Sequence, residues 1–422
     1  MIYQLSSYLW IFTTLFALLS SFYLLFYFKF TSLKVLRSVK YISKDNIKLL
    51  NLSLAGKIGV GSISGIAISI IVGGKGTILW IWLSSIFLSV FTYLETKAGI
   101  IYRENKIGGP FIYIKNVLGN ERLSTIYILL IVFTYLFSFI LIQSNTIIVS
   151  INNTFQINKY LIAVILIITI YISIKKEIER ISRIVTVLVP FMGLLYLLIG
   201  CFIVVKNINA LPTILVDIFK DSFKIKSIAS LPFIIGFQRS IFSNESGMGS
   251  TSMLVALSNN NDYEQEYFYQ AIGMYYITLI VCTISALLIL TSNYEQICFG
   301  NINGIEIINY AFNYHFSEYG SIISTIIITL FAFSTIITSF YYGDISFKYL
   351  FKNKNNAFVK IIVIIVVLLS LFINPINIWA VVDISTALTT VINVYSLIRI
   401  RKYLRRWLYD RKQLGWIIKR RI

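Results

Sequence analysis

The sequence predicts an all-α polytopic membrane protein with about eleven transmembrane helices, and two observations carry that prediction. First, the 422-residue chain is 57% hydrophobic with only 13% charged residues, and its mean hydropathy is +0.79. A soluble domain of average composition has about 25% charged residues, so this chain lacks the groups needed to cover a soluble surface. Second, the apolar residues fall in runs close to the roughly 20 residues that a spanning helix requires. Most soluble enzyme classes are thereby excluded. His315 is the single histidine, and Cys201, Cys282 and Cys298 are scattered. Neither a histidine metal cluster nor a disulfide framework can be read from them.

Taken in order, the first run covers about 8–28. It has no basic residue before it, no small-residue cleavage site after it and too much length for a signal-peptide core, so a retained span is expected. Further runs follow at about 50–73, 77–102, 124–149, 159–174, 182–205, 228–256, 267–292, 319–343, 357–373 and 376–398. Orientation comes from the 37 basic residues. With the N-terminus outside, only Lys75, Lys159, Lys206, Lys220, Lys224 and Lys226 lie on the outer side. Lys57 and Arg239 lie within apolar segments, and the rest are cytoplasmic. Cytoplasmic loops collect Lys and Arg, so the N-terminus is expected outside and the C-terminus inside, in a bacterial cell (inner) membrane. The basic tail from Arg399 to Arg421 is interleaved with Trp407, Tyr409, Trp416, Ile417 and Ile418. It reads as an anchor on anionic lipid rather than as a nucleic-acid binder.

Two spans depart from plain apolar helix. Residues 52–74 read LSLAGKIGVGSISGIAISIIVGG, with Gly56, Gly59, Gly61 and Gly65 among serines. Residues 234–257 place Gln238, Arg239, Ser243, Asn244, Glu245, Gly247 and Gly249 at membrane depth. Such rows are tolerated only where they line a cavity buried in protein. A nucleotide loop is disfavoured because no strand precedes Gly59 and the glycine spacing is wrong. Small-residue packing would suffice for one such helix. With the first span set aside as an extra, the two interrupted spans become helices one and six of a ten-helix core. That is the layout of five-plus-five inverted repeats, in which paired broken helices bind substrate and ion near the midplane.

At these residues the sequence resembles the alanine/glycine:cation (sodium) symporter family of the amino acid-polyamine-cation superfamily, which has the LeuT-like fold. The resemblance rests on LAGKIGVGSISGIAISIIVGGKGTILWIW and, most specifically, on QRSIFSNESGMGS (238–250). Shorter matches are YLETKAGIIYR, GGPFIYI, QSNTI, LVPFMGLLYLL, VCT, FAFSTI, YYGD and WAVVDISTAL, in order over about 50–395. It implies an N-terminal helix and basic loop (1–49), two inverted repeats (50–206 and 207–398) and a basic cytoplasmic tail (399–422).

The resemblance also implies sites. The substrate carboxylate is expected at the amides near Val60, Gly61 and Ser62, with Gln143, Asn145, Phe242, Asn244, Thr335 and Ser339 completing the pocket. The cation site is expected at the hydroxyls of Ser334 and Thr335 and the carbonyls of Phe331, Ala55 and Ile58. These hard oxygen ligands suit Na⁺. The chain departs from the family pattern at Lys57, Ser62, Ile277 and Ser339. Lys57, Ser62 and Ile277 fall where a second cation of this fold would sit, and Ser339 replaces a Trp. Lys57, Glu245 and Asp383 are therefore coupling candidates. Glu95 and Asp344 are the other carboxylates at membrane depth, and Asp344 is expected to pair with Lys348 at i+4.

The expected function is import of a small neutral amino acid, of the alanine or glycine type, coupled to Na⁺ by alternating access. The alternative is a proton-coupled or uncoupled transporter of the same fold, with Lys57 in place of a bound cation. No bond is made or broken, so no enzyme is expected, and no cofactor beyond the co-transported ion. The expected partners are the amino acid, Na⁺ or H⁺ and the lipid bilayer, with no nucleic acid.

Overall fold

The structure is a computed structural model that describes residues 2–35, 44–175, 177–224, 231–259, 262–296, 304–352 and 357–419. Cys298, Lys226 and much of the basic stretch before Lys44 lie outside the described residues, and the tail side chains from Trp407 onward are not described either. Among the described residues the chain is all helical, with one isolated bridge between Glu104 and Ile107 in place of any strand.

The helices are, in order, α1 (Ile2–Tyr27), α2 (Thr31–Val35), α3 (Lys44–Lys57), α4 (Ser64–Gly73), α5 (Thr77–Ile101) and α6 (Pro110–Asn116). Next come α7 (Glu121–Val132), α8 (Ile140–Phe155), α9 (Lys159–Ile174), α10 (Glu177–Lys206) and α11 (Leu211–Asp221). They are followed by α12 (Pro232–Asn244), α13 (Ser250–Val255), α14 (Tyr263–Tyr275), α15 (Cys282–Leu290) and α16 (Gly304–Phe316). The chain ends with α17 (Gly320–Phe351), α18 (Ala357–Leu369) and α19 (Pro375–Lys419). Wide π turns at Phe133–Phe139 and Tyr276–Val281 join α7 to α8 and α14 to α15 into single rods.

Among the described residues, eight helical segments are long and apolar enough to cross a membrane, and α9 and α18 are shorter apolar helices. The expected span at 228–256 is divided between α12 and α13, each too short to cross alone. Such all-helical segments satisfy their own backbone groups in hydrocarbon. The lipid-type surface is visible on α1, where Leu5, Tyr8, Phe12, Leu15 and Leu19 are exposed along one side. The two broken helices occupy the opposite environment and are buried almost throughout.

Each break has a local cause. Between α3 and α4 the chain tightens into a single 3₁₀ turn at Val60–Ser62, preceded by extended Gly59 (φ −130°, ψ −161°). Between α12 and α13 the left-handed region is visited three times, by Glu245 (φ 54°), Gly247 (φ 91°) and Gly249 (φ 92°). Two of those three positions are glycine because a Cβ disfavours that region. Helix α5 packs against both α12 and α13 and bridges the second break.

Candidate functional site

Val60 N donates to Gln143 Oε1 at 3.2 Å, which ties the first break to α8. Ser62 Oγ turns back to Gly59 O at 2.9 Å, and Ser285 Oγ donates to Ser62 O at 2.6 Å. Gly61 is the point of closest approach to α12: a Cβ there would stand 2.6 Å from both Cδ1 and Cε1 of Phe242. Gly61 does not have a positive φ, so its small size is required by the Phe242 ring and not by backbone conformation. Phe242 is in turn held edge-on by Phe139 and Trp379, with ring centroids 5.3 and 5.6 Å away.

Five oxygens converge where α17 crosses the end of α3. Thr335 Oγ1 lies 3.1 Å from Ala55 O, 3.3 Å from Ile58 O and 3.1 Å from Phe331 O. Ser334 Oγ lies 3.2 Å from Ala55 O and 2.9 Å from Phe331 O. A hydroxyl and a carbonyl both offer lone pairs to a cation, and rotation of each hydroxyl hydrogen converts this hydrogen-bonded cluster into a ligand set. Ser339 lies one turn beyond Thr335 and is buried.

The structure brings Val60, Gly61, Ser62, Gln143, Phe242 and Thr335 to one place. Two of the expected pocket residues have other partners. Asn145 Nδ2 donates to Ser370 O at 2.8 Å; two residues from Gln143, it lies about 200° around α8 and points away from the break. Asn244 braces the second break, with Nδ2 donating to Ser240 Oγ (3.1 Å) and Thr278 Oγ1 (3.2 Å) and Oδ1 accepting from Ser246 N (2.9 Å).

The buried charges nearest the breaks fall into two groups. Arg239 does not reach Glu245; its Nη1 and Nη2 each meet an oxygen of Asp383 at 3.2 Å. Its guanidinium also lies 4.8 Å from the centre of the Trp379 ring, and Trp10 Nε1 donates to the backbone oxygen of Asp383 at 3.0 Å. These residues line a cavity of about 160 Å³ together with Gln238 and Ser6. The second group surrounds the other break. Glu245 Oε2 accepts from Tyr135 (3.2 Å) and Ser250 (2.5 Å). Glu95 Oε1 accepts from Gly249 N (3.0 Å) and Asn393 Nδ2 (2.8 Å). Lys57 is buried with Nζ unpartnered among the described residues, within the electrostatic reach of Glu245 and Glu95. Asp344 pairs with Lys348 at 2.9 Å, as its spacing led us to expect.

Trp10, Tyr135, Ser285, Trp379 and Asn393 join the site without having been singled out in the sequence. Aromatic and serine residues are common in apolar helices and carry no individual signal there. Asn393, at membrane depth in α19, is the one that its polarity could have flagged.

Paired broken helices around a polar centre, inside an all-helical membrane body, define a secondary transporter of the LeuT-like fold. Solved structures with the same architecture include MhsT in complex with L-phenylalanine (TM-score 0.63, 12% identity, 86% of this chain and 90% of that one). Another is the Eremococcus coleocola manganese transporter (TM-score 0.59, 10% identity, 84% and 78%). The chain belongs to the sodium:alanine symporter family, whose model matches residues 1–414.

Relatives in that family include the amino-acid carrier protein AlsT of Bacillus subtilis, 28% identical over 72% of this chain and 66% of that protein. The probable sodium/glutamine symporter GlnT of the same organism is 28% identical over 90% and 83%. The sodium/alanine symporter AgcS of Methanococcus maripaludis is 26% identical over 76% and 74%. Membership makes the chain a multi-pass membrane transporter of the cation-coupled amino-acid symporter class, and not an enzyme.

Proposed function

We propose that this protein imports a small neutral amino acid of the alanine or glycine type together with Na⁺, by alternating access. The observation that carries the reading is the convergence of the Ser334 and Thr335 hydroxyls with the carbonyls of Ala55, Ile58 and Phe331. Hard oxygens at a helix break suit a hard, weakly coordinating cation. In this reading the substrate carboxylate meets the turn at Val60, Gly61 and Ser62. Gln143 positions that turn, Phe242 closes over it, and Thr335 and Ser339 bound the pocket from α17. Asn244 contributes by holding the second break in shape, and Asn145 acts from the far side of α8 through Ser370.

The two repeats are assigned to 50–206 and 207–398, with eleven spans, the N-terminus outside and the C-terminus in the cytoplasm of a bacterial cell. The positive-inside bias supports that orientation. Arg239 and Asp383 then stand on the outer side of the pocket as a gate, and Lys57 with Glu245 and Glu95 on the inner side. Lys57 supports a second reading, a proton-coupled or uncoupled transporter of the same fold in which its ammonium takes the place of a bound cation. The deciding experiment is uptake of labelled alanine into proteoliposomes with and without an inward Na⁺ gradient. Gradient-dependent accumulation supports symport with Na⁺; equal accumulation without Na⁺ overturns it in favour of the second reading.

A further inference from the structure

The last turns of α19 use their cations in two ways. Arg401 Nε donates to Tyr23 Oη at 2.6 Å, and the guanidinium of Arg405 lies 4.9 Å from the centre of the Tyr27 ring. That side of the helix is docked on α1. Arg399, Lys402 and Arg406, at i, i+3 and i+7, share another side and are exposed. With Tyr403, the edge of Arg401, and Val117 and Leu118, which follow α6, they line a groove of about 590 Å³.

This groove gathers three exposed cations on one side of one helix. Elsewhere, several cations have carboxylates, such as Lys75 with Glu295 (3.2 Å), Lys115 with Glu121 (3.2 Å) and Lys224 with Asp221 (3.2 Å), and others such as Lys29, Lys34 and Lys352 are exposed without an ion pair among the described residues. Among the described residues no carboxylate lines the groove. Among the described residues Arg399, Lys402 and Arg406 have no ion-pair partner. Three like charges lining one groove repel one another until an anion joins them. The groove ends the seam between α7 and α19, which pack together. Away from it, those helices expose Ile126 and Leu129 on one side and Leu388 and Tyr395 on the other.

The geometry points to a site for one anionic phospholipid, its phosphodiester held by Arg399, Lys402 and Arg406 and its acyl chains laid along the α7–α19 seam. The apolar floor at Val117 and Leu118 and the interfacial Tyr403 fit a lipid better than a soluble phosphate. The site is separate from the amino-acid pocket. It does not depend on the proposed transport reading, so transport and lipid binding fail independently.

The test is titration of the purified full-length protein with phosphatidylglycerol, read by native mass spectrometry, with phosphatidylcholine and soluble glycerol phosphate as competitors. The triple variant Arg399→Gln, Lys402→Gln, Arg406→Gln is compared with Lys29→Gln, Lys34→Gln, Lys352→Gln, which removes three other exposed cations. We expect one retained phosphatidylglycerol, bound about a hundredfold more weakly by the groove variant and unchanged in the control variant. Three results each overturn the proposal: retention by the groove variant as tight as the parent's, equal loss in the control variant, and equal displacement by glycerol phosphate. The last would mark the groove as a site for soluble phosphate.

Discussion

Arg239 and Asp383 are 144 residues apart and meet in two parallel contacts of 3.2 Å inside the protein. Among the described residues neither has another ion-pair partner, so each cancels the other. Removing one partner of a buried pair costs about 3–5 kcal/mol because the remaining charge is left without compensation. Arg239→Gln and Asp383→Asn are each expected to lower thermal stability strongly and to abolish alanine uptake. The double variant should recover most of the stability, since it leaves no lone charge. Thermal unfolding of the three variants in detergent checks this; a double variant as unstable as the sum of the singles would show that the two do not act as a pair.

Gly61 is limited by the ring of Phe242, at 2.6 Å from a Cβ that is not there. Gly61→Leu is expected to abolish amino-acid binding while the protein still inserts. Gly61→Ala combined with Phe242→Leu should restore part of it by returning the missing space. Scintillation proximity binding of labelled alanine measures both, and unchanged binding in Gly61→Leu would move the pocket elsewhere.

Thr335 Oγ1 reaches the carbonyls of Ala55, Ile58 and Phe331, and Ser334 Oγ shares two of them, Ala55 and Phe331. A single hydroxyl bonded back to its own helix is ordinary, but here both also reach across to Ala55. The double change to Ala is expected to raise the Na⁺ concentration for half-maximal uptake by at least about tenfold, on the basis of about 1 kcal/mol per lost polar interaction. An unaltered Na⁺ dependence would leave only the structural role.

Lys57 is buried at 3% exposure with two carboxylates in electrostatic reach. If its ammonium occupies the place of a second cation, Lys57→Met should make Na⁺ dependence steeper, with a Hill coefficient moving from about 1 towards 2. Lys57→Thr should do the same with less bulk. Uptake across Na⁺ concentration and pH for both variants is the measurement; curves that match the parent's would make Lys57 a tolerated side chain with no part in coupling.

Much of the fold could be read from the sequence because lipid punishes polar rows. The glycines around Gly61 and the stretch from Gln238 to Gly249 could not face hydrocarbon, and both became breaks. The Asp344–Lys348 pair follows from helical spacing alone. Other features had no such signature. A carbonyl ligand such as Ala55 O has no side-chain chemistry, so its place came from family resemblance and its geometry only from the structure. Gln143 and Asn145 looked alike in sequence, yet two residues of helix rotate them to opposite sides. The partner of Arg239 lies on another helix, and nothing near Arg239 in the chain points to Asp383. Trp10 is one aromatic among many in α1 until its indole nitrogen is seen at the Asp383 carbonyl.

Helix α17 runs unbroken for 32 residues, about 48 Å at about 1.5 Å per residue. The hydrocarbon layer is only about 30 Å thick. The helix must therefore lean or emerge from the bilayer, and thicker or thinner bilayers will change how far it does so. Ser334 and Thr335 stand at the midpoint of Gly320–Phe351. A rod that rocks about its centre sweeps its ends through wide arcs and barely moves its middle. Membrane thickness should thus alter the angle of α17 far more than the depth of these two hydroxyls, and cells that adjust their lipid chains with temperature would leave the ion's resting level unchanged.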